Sequence, residues 1–151
     1  MSARFVSGLL ALLMTVAACD GAAPPDASGQ GHPAMLAGTA WRVLGVDGRQ
    51  PVAGRVPTVT FEVSTVSGSG GCNFYSGSYR YDRATGRIGF ERIAMTAMAC
   101  AEPPVNAFET RFSQALAQAD LVSLDIRGRL TVNGPGGAVV LERDPQRAVE
   151  G

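Results

Sequence analysis

GSGGCNFYSGSY, residues Gly68–Tyr79, joins a glycine-rich bend to an aromatic, strand-like run and places Cys72 between them. The bend lacks the Gly-Lys-Ser/Thr ending and the following helix that phosphate-binding loops require. We therefore interpret it as a turn or bulge between two strands. The thiol of Cys72 could then be a nucleophile, a metal ligand or half of a covalent crosslink. The residues elsewhere in the chain distinguish between these roles.

On both sides of this stretch, apolar and polar residues alternate with a period near two, which is typical of strands with one buried face. Val59, Phe61 and Val63, for example, alternate with threonine, glutamate and serine. Turn signals such as Thr85-Gly86 and Arg127-Gly128 separate the runs. Most of the folded part is therefore predicted to be antiparallel sheet. The other alternating sets are Tyr79 and Tyr81, Ile88 and Phe90, Val122, Leu124 and Ile126, Leu130 and Val132, and Val139 and Leu141.

One segment breaks the alternation. Behind Pro103 and Pro104, apolar residues recur at spacings of three and four, which predicts an amphipathic helix over about 104–119. Its apolar stripe most simply covers the open face of the sheet. The predicted fold class is α+β, either a curved antiparallel sheet or a small partly open barrel packed against one helix. The stripe consists of Val105, Phe108, Phe112, Ala115, Leu116 and Ala119.

Residues 1–18 have the features of a secretory signal, because Arg4 precedes a short apolar run that ends on small residues. The run is shorter than the ~20 residues that span a bilayer. The junction VAAC, Val16–Cys19, resembles the lipobox of bacterial lipoproteins, in which cleavage occurs before the cysteine and acyl chains are attached to it. This resemblance predicts a lipoprotein signal peptide and a membrane anchor on Cys19.

Residues 19–35 are small and polar and are interrupted by Pro and Gly. This composition predicts a flexible tether that holds the domain about 20 to 25 Å from the anchor. The predicted location is the cell envelope, with the domain lipid-anchored and facing the periplasm. In lipoproteins of this kind an aspartate after the lipidated cysteine often favours retention at the inner membrane, and Asp20 occupies that position.

Lipidation of Cys19 leaves Cys72 and Cys100, which lie 28 positions apart. In an oxidising compartment the simplest fate of two thiols in one small domain is a disulfide. In the chain-entropy treatment this crosslink stabilises the fold by about 3 to 4 kcal/mol. A cysteine nucleophile would need a base, and His32, the one histidine of the chain, lies in the tether. A thioredoxin-like pair would be spaced by two residues.

A copper site is a further alternative, because Met95, Met98 and Cys100 lie close together in sequence and suit Cu(I). Methionine also fills irregular gaps in apolar cores. We favour methionines that pack beside a disulfide, and we expect neither a metal nor another cofactor.

The charge pattern argues against several classes of function. Basic and acidic residues balance at 13 each, so there is no broad positive field for nucleic acid. The chain has no Gly-x-Ser-x-Gly motif, and its carboxylates are scattered without the spacing of an acid–base pair. We expect no catalytic residues and no enzymatic activity. These carboxylates, interpreted as solvated surface charges, are Glu62, Glu91, Glu102, Glu109, Asp120 and Asp125.

Taken together, the two cysteine segments resemble the META domain found in HslJ-type heat-shock and envelope proteins. The resemblance covers 36–143 and leaves 144–151 as a polar tail. It implies a curved sheet with one helix and no established catalytic activity. The residues that carry it, besides the two cysteines, are Gly71, Asn73, Gly77, Tyr79, Thr96 and Met98.

The resemblance also associates the chain with heat shock and the cell envelope. We therefore expect a non-enzymatic, stress-associated binding or stabilising module, whose partners are the membrane, through its acyl chains, and an envelope protein. The alternative is a carrier or sensor of a hydrophobic small molecule or lipid, held in a cavity between sheet and helix.

Overall fold

A computed structural model describes residues 36–147 of the chain. In this part of the chain the residues predicted as sheet from the alternating pattern form strands, except Val63 and Ile126, and the segment behind the two prolines forms a helix. The elements are β1 Thr39–Val46, β2 Thr58–Phe61, β3 Thr65–Ser69, β4 Phe74–Asp82, β5 Arg87–Met95, α1 Pro103–Ala117, β6 Leu121–Leu124, β7 Leu130–Gly134 and β8 Gly137–Arg143, followed by a 3₁₀ turn, Pro145–Arg147.

The strands form a closed barrel. Each strand pairs antiparallel with the next along the chain, and β8 returns to pair with β1, where Trp41 lies opposite Arg143 and Val46 opposite Val139. The predicted α+β arrangement of antiparallel sheet and one helix is confirmed, and the curved sheet is a barrel that is closed rather than partly open. Closure pairs the two strands that would otherwise expose unsatisfied backbone edges.

The antiparallel order gives the barrel two different ends. The β2–β3, β4–β5 and β6–β7 turns lie at one end, where the chain also enters at Leu36 and leaves after β8. We call this the hairpin end. The opposite end carries the β3–β4 loop, the segment 96–102 that leads into α1, and the β7–β8 turn. We call it the helix end.

The helix lies against the β7–β8 turn at the helix end. A Cβ atom on Gly136 would stand 2.4 Å from the carbonyl oxygen of Gln114, and one on Gly134 would stand 1.9 Å from that of Gln118. The missing side chains thus allow the turn to touch the helix. Pro103 fits at the start of α1 because the first N–H groups of a helix have no intrahelical partner. Within 36–147, no helix has the length and apolar character to cross a membrane.

Side chains fill the interior of the barrel. Trp41, Phe61 and Phe112 are fully buried. Phe112 comes from the helix, and its ring meets that of Tyr75 edge-on, with centroids 5.8 Å apart. The indole N–H of Trp41 donates to Oγ1 of Thr39 at 2.7 Å, so its polar atom is satisfied. An eight-stranded barrel is either filled by its inward side chains or holds one small ligand, and here the buried side chains occupy the interior. The other large, fully buried residues are Leu36, Val43, Val46, Val59, Val66, Val122, Leu130, Val132 and Leu141.

Val63 and Ile126 depart from the predicted alternation. Both continue an apolar pattern in the sequence, yet 89% and 86% of their surfaces are exposed. Their strands end two residues earlier, so both residues lie in hairpin turns. In the second turn, the backbone N–H of Asp125 donates to the carbonyl of Arg129 at 2.9 Å. Local alternation does not mark the point where a strand ends.

Candidate functional site

The bend between β3 and β4 forms the centre of the site. Its backbone is folded on itself, because the N–H of Gly70 donates to the carbonyl of Asn73 at 2.7 Å. Gly71 has a φ of +111°, a conformation that favours glycine. A Cβ on Gly70 would lie 2.5 Å from a carboxylate oxygen of Glu109. The glycines therefore shape the bend and also admit a side chain from the helix. We call 70–73 the cysteine loop.

The structure brings the two predicted disulfide partners together. Cys72 of the cysteine loop is bonded to Cys100, which lies between β5 and α1, and their Cα atoms are 6.3 Å apart. This separation falls in the usual range for disulfides, about 4.4 to 6.8 Å. The bond joins the cysteine loop to the segment that leads into the helix.

Glu109 of α1 is buried beneath the cysteine loop. Only 6% of its surface is exposed, which corrects its assignment as a solvated surface charge. Its Oε2 accepts hydrogen bonds from the backbone N–H groups of Cys72, at 3.1 Å, and Asn73, at 2.6 Å. Its Oε1 accepts from Nδ2 of Asn73 at 2.6 Å. Hydrogen bonds to a charged acceptor are the stronger ones in proteins, so this carboxylate clamps the loop to the helix.

Asn73 connects the cysteine loop to the segment that follows β5. Its side chain is buried, and its Oδ1 accepts hydrogen bonds from Oγ1 of Thr96, at 3.1 Å, and from the backbone N–H of Met98, at 2.6 Å. Oγ1 of Thr96 in turn accepts the backbone N–H of Phe74 at 3.0 Å. Asn73, Thr96 and Met98, three of the motif residues, are thus parts of one network with Glu109.

Two motif residues, Gly77 and Tyr79, lie in β4 outside the cysteine loop and contribute to the packing of the barrel. Gly77 faces a bulge in β5, and a Cβ there would stand 2.5 Å from Cδ1 of Ile93. Tyr79 is buried, and its hydroxyl donates to the carbonyl of Glu62 at 2.7 Å. Burial raises the pKa of the Tyr79 phenol. Its ring meets that of Phe61 edge-on at 5.0 Å. These two residues support the fold and do not reach the cysteine loop network.

Two apolar side chains are exposed beside this network. Phe74 is 59% exposed and Met98 47%. Phe74 borders a shallow depression of about 360 Å³ on the outer face of β4 and β5. The backbones of both residues are held by the hydrogen bonds of Asn73 and Thr96. The other residues that line the depression are Tyr75, Ser76, Ala94, Met95 and Thr96.

The methionines divide between core and surface. Met95 is partly buried and packs against the core, as expected of a gap-filling residue. Met98 is exposed over nearly half of its surface, so the expectation of core packing is wrong for its side chain. Cys100 is held in the disulfide, which removes the thiolate that the copper alternative needs. Within 36–147, no three His, Cys, Asp or Glu side chains cluster as metal ligands would.

The predicted lipidation site, Cys19, lies outside the described residues, as do Asp20 and His32. The signal peptide and the tether therefore stay predictions from sequence.

A closed eight-stranded barrel with one helix and a disulfide-bonded glycine loop defines the class of this domain within the described residues. The chain belongs to the META domain family, because the family model matches residues 34–146. The resemblance noted from the sequence is thereby confirmed. A comparison with curated proteins finds no match.

Solved structures share the fold. An NMR structure of a protein from Burkholderia xenovorans has a TM-score of 0.63 at 24% identity and covers 87% of this chain and 99% of its own. A second NMR structure has a TM-score of 0.59 at 25% identity, with 71% and 90% covered. The crystal structure of a DUF4847 family protein from Bacteroides vulgatus has a TM-score of 0.52 at 14% identity, with 73% and 95% covered. These likenesses bear on the fold.

Proposed function

We propose that the protein is a non-enzymatic lipoprotein of the cell envelope, anchored through Cys19 and facing the periplasm, where its barrel binds or stabilises an envelope protein under stress. Asp20 favours the inner membrane as its location. The proposal combines the sequence of the N-terminal segment with the site at the helix end of the barrel.

The exposed pair Phe74 and Met98 is the observation that carries the binding role. Exposed aromatic and methionine side chains are enriched at protein interfaces. Here both extend from backbone that the network around Asn73 and the disulfide holds in place. A surface that is already ordered loses less conformational entropy when a partner binds. We call Phe74 and Met98 the apolar pair.

The filled interior favours a protein-binding surface over the alternative of a hydrophobic carrier. A carrier needs a cavity in which most of the ligand is enclosed. In the described barrel, Phe112 of the helix and the inward residues of the strands occupy that space. The depression next to Phe74 is shallow and lies on the outer face.

Site-specific photocrosslinking in intact cells tests the binding role. A photoreactive residue at Phe74 is expected to give one discrete adduct with an envelope protein, whereas the same residue at exposed Ala53 gives none. In a chain crosslinked from Met98, the substitution Phe74→Ser should weaken the same adduct. Absence of any adduct from both positions of the apolar pair would contradict the binding role.

Mass analysis of the mature protein tests the anchor separately. We expect a chain that begins at Cys19, carries acyl groups there and has lost two hydrogens to the bond between Cys72 and Cys100. A bare Cys19 with both later thiols reduced would overturn the proposed export and anchoring.

A further inference from the structure

The hairpin end of the barrel exposes two aliphatic side chains at the tips of its turns. Val63 lies at the tip of the β2–β3 turn, and Ile126 at the tip of the β6–β7 turn. Single exposed aliphatic residues are ordinary on protein surfaces. Here, however, two such residues lie at the turn tips of the same end, and both are almost fully exposed. Core packing does not explain them, because their strands end before them.

The same end has an excess of positive charge. Arg83 and Arg87 flank the β4–β5 turn, and Arg127 follows Ile126 directly; all three are exposed. In the turn of Ile126, the carboxylate of Asp125 is engaged by Nε of Arg129 at 2.9 Å and by two backbone N–H groups. Asp120 also lies at this end, because its carbonyl accepts the backbone N–H of Ile88 beside the β4–β5 turn. With it, the charged residues of the three turns and of 143–147 are Arg83, Arg87, Arg127, Arg129, Arg143 and Arg147 against Glu62, Asp82, Asp120, Asp125 and Asp144.

The chain also enters the barrel at this end. Leu36 precedes β1, and residues 20–35 separate it from Cys19. If Cys19 is acylated, as the proposed function holds, the hairpin end is the part of the barrel nearest the anchor along the chain. A short tether keeps this end at a high effective concentration near the lipid surface, so that a weak contact is sufficient.

We propose that the hairpin end docks on an anionic lipid surface, with Val63 and Ile126 inserted among the headgroups and the arginines beside the lipid phosphates. Aliphatic tips gain by leaving water, and basic side chains are attracted to anionic lipids. The docking rests on the proposed function for its anchor alone. It directs the helix end, with the apolar pair, away from the membrane and towards the periplasm.

Tryptophan substitution in the full chain, purified from membranes and reconstituted in vesicles, tests this orientation. Val63→Trp and Ile126→Trp place a probe at each tip. Val56→Trp places a control probe at an exposed position of the β1–β2 connection, which lies beside the middle of β1 and away from the tips. Trp41, the native tryptophan, is buried in each variant and gives a common background. The vesicles contain brominated phosphatidylcholine alone or with phosphatidylglycerol. Circular dichroism checks that each exposed substitution leaves the fold intact.

When phosphatidylglycerol is present, the fluorescence emission of the tip tryptophans should shift to the blue and be quenched by the brominated acyl chains. This quenching should decrease in high salt, because ions screen the charge of the arginines. The Val56→Trp probe should not change. Tip probes that are quenched no more than Val56→Trp overturn the docking, and equal quenching without phosphatidylglycerol overturns the requirement for anionic lipid. Acylation is read by mass on the same samples. If the chains are acylated but the tip probes are not quenched, the docking is wrong and the anchor is supported. If the tip probes are quenched on chains without acyl groups, the docking is supported and the anchor is wrong.

Discussion

At the level of single residues, Glu109 holds the cysteine loop to the helix through three hydrogen bonds. Glu109→Gln replaces one acceptor oxygen by an NH₂ group, so at least one buried N–H of Cys72 or Asn73 loses its partner. An unsatisfied buried donor costs about 1 to 3 kcal/mol. We expect a loss of that size in the free energy of unfolding, measured by urea denaturation with the disulfide intact.

Glu91→Gln is the matched control for that substitution. Glu91 pairs with Arg80 at 3.2 Å on the surface, where the Arg80 side chain is 82% exposed. Exposed ion pairs contribute about 0 to 1 kcal/mol, so this variant should stay close to the native chain. If Glu109→Gln were no less stable than Glu91→Gln, the clamp assigned to Glu109 would be wrong.

The role of Glu109 was within reach of the sequence, although the prediction missed it. Glu109 follows Val105 by four positions and precedes Phe112 by three, so it lies on the apolar stripe of the helix. A charge on a stripe of that kind needs buried hydrogen-bond partners. The partners themselves could not be identified, because Asn73 is 36 positions away and only the folded chain brings it there.

At the level of elements, the disulfide joins the β3–β4 connection to the start of the helix. Cys72→Ala with Cys100→Ala should lower the free energy of unfolding by about 3 to 4 kcal/mol, because the unfolded chain loses a closed loop. Urea denaturation compares this variant with the native chain, oxidised and after reduction. The reduced native chain should match the double variant, and an oxidised chain no more stable than either would contradict a stabilising crosslink.

The strands show which element boundaries the sequence can predict. The helix was predicted to within two residues at each end, since prolines mark its start and a stripe marks its faces. Val63 and Ile126 were placed in strands because alternation continues past the last paired residue. Turn hydrogen bonds end those strands, as between the N–H of Glu62 and the carbonyl of Thr65 at 2.9 Å. Val63 and Ile126 are apolar yet exposed in these turns, and they are the residues proposed to contact the membrane.

At the level of the whole molecule, barrel closure was the feature that local patterns could not predict. It depends on β1 and β8, where Val43 lies opposite Leu141, nearly a hundred positions along the chain. Both strands have buried faces in either an open sheet or a closed barrel, so periodicity does not distinguish the two. Closure alone leaves room for either a ligand cavity or a packed interior. The buried rings of Trp41, Phe61 and Phe112 fill this barrel, and this filling favours a surface-binding module.

The phenol of Tyr75 reports on that interior. Tyr75 is buried, its hydroxyl donates to the carbonyl of Thr58 at 2.8 Å, and burial raises its pKa well above the ordinary value of 10.0. Above pH 10 the unfolded chain therefore binds fewer protons at this residue than the folded chain, and stability that is fully present below pH 10 is lost as the pH rises. The slope is about 1.4 kcal/mol per pH unit for one such group.

Tyr75→Phe should remove this share of the alkaline loss. Urea unfolding at a series of pH values from neutral to about 12 should give a shallower slope for the variant above pH 10, by about 1.4 kcal/mol per unit. At neutral pH the variant should be less stable by about 1 kcal/mol, because the hydrogen bond to Thr58 is lost. Burial also raises the pKa of Tyr79 and Tyr81, so some slope remains. Equal slopes would mean that the phenol ionises in the folded barrel, which requires water to reach an interior that the binding proposal takes to be filled.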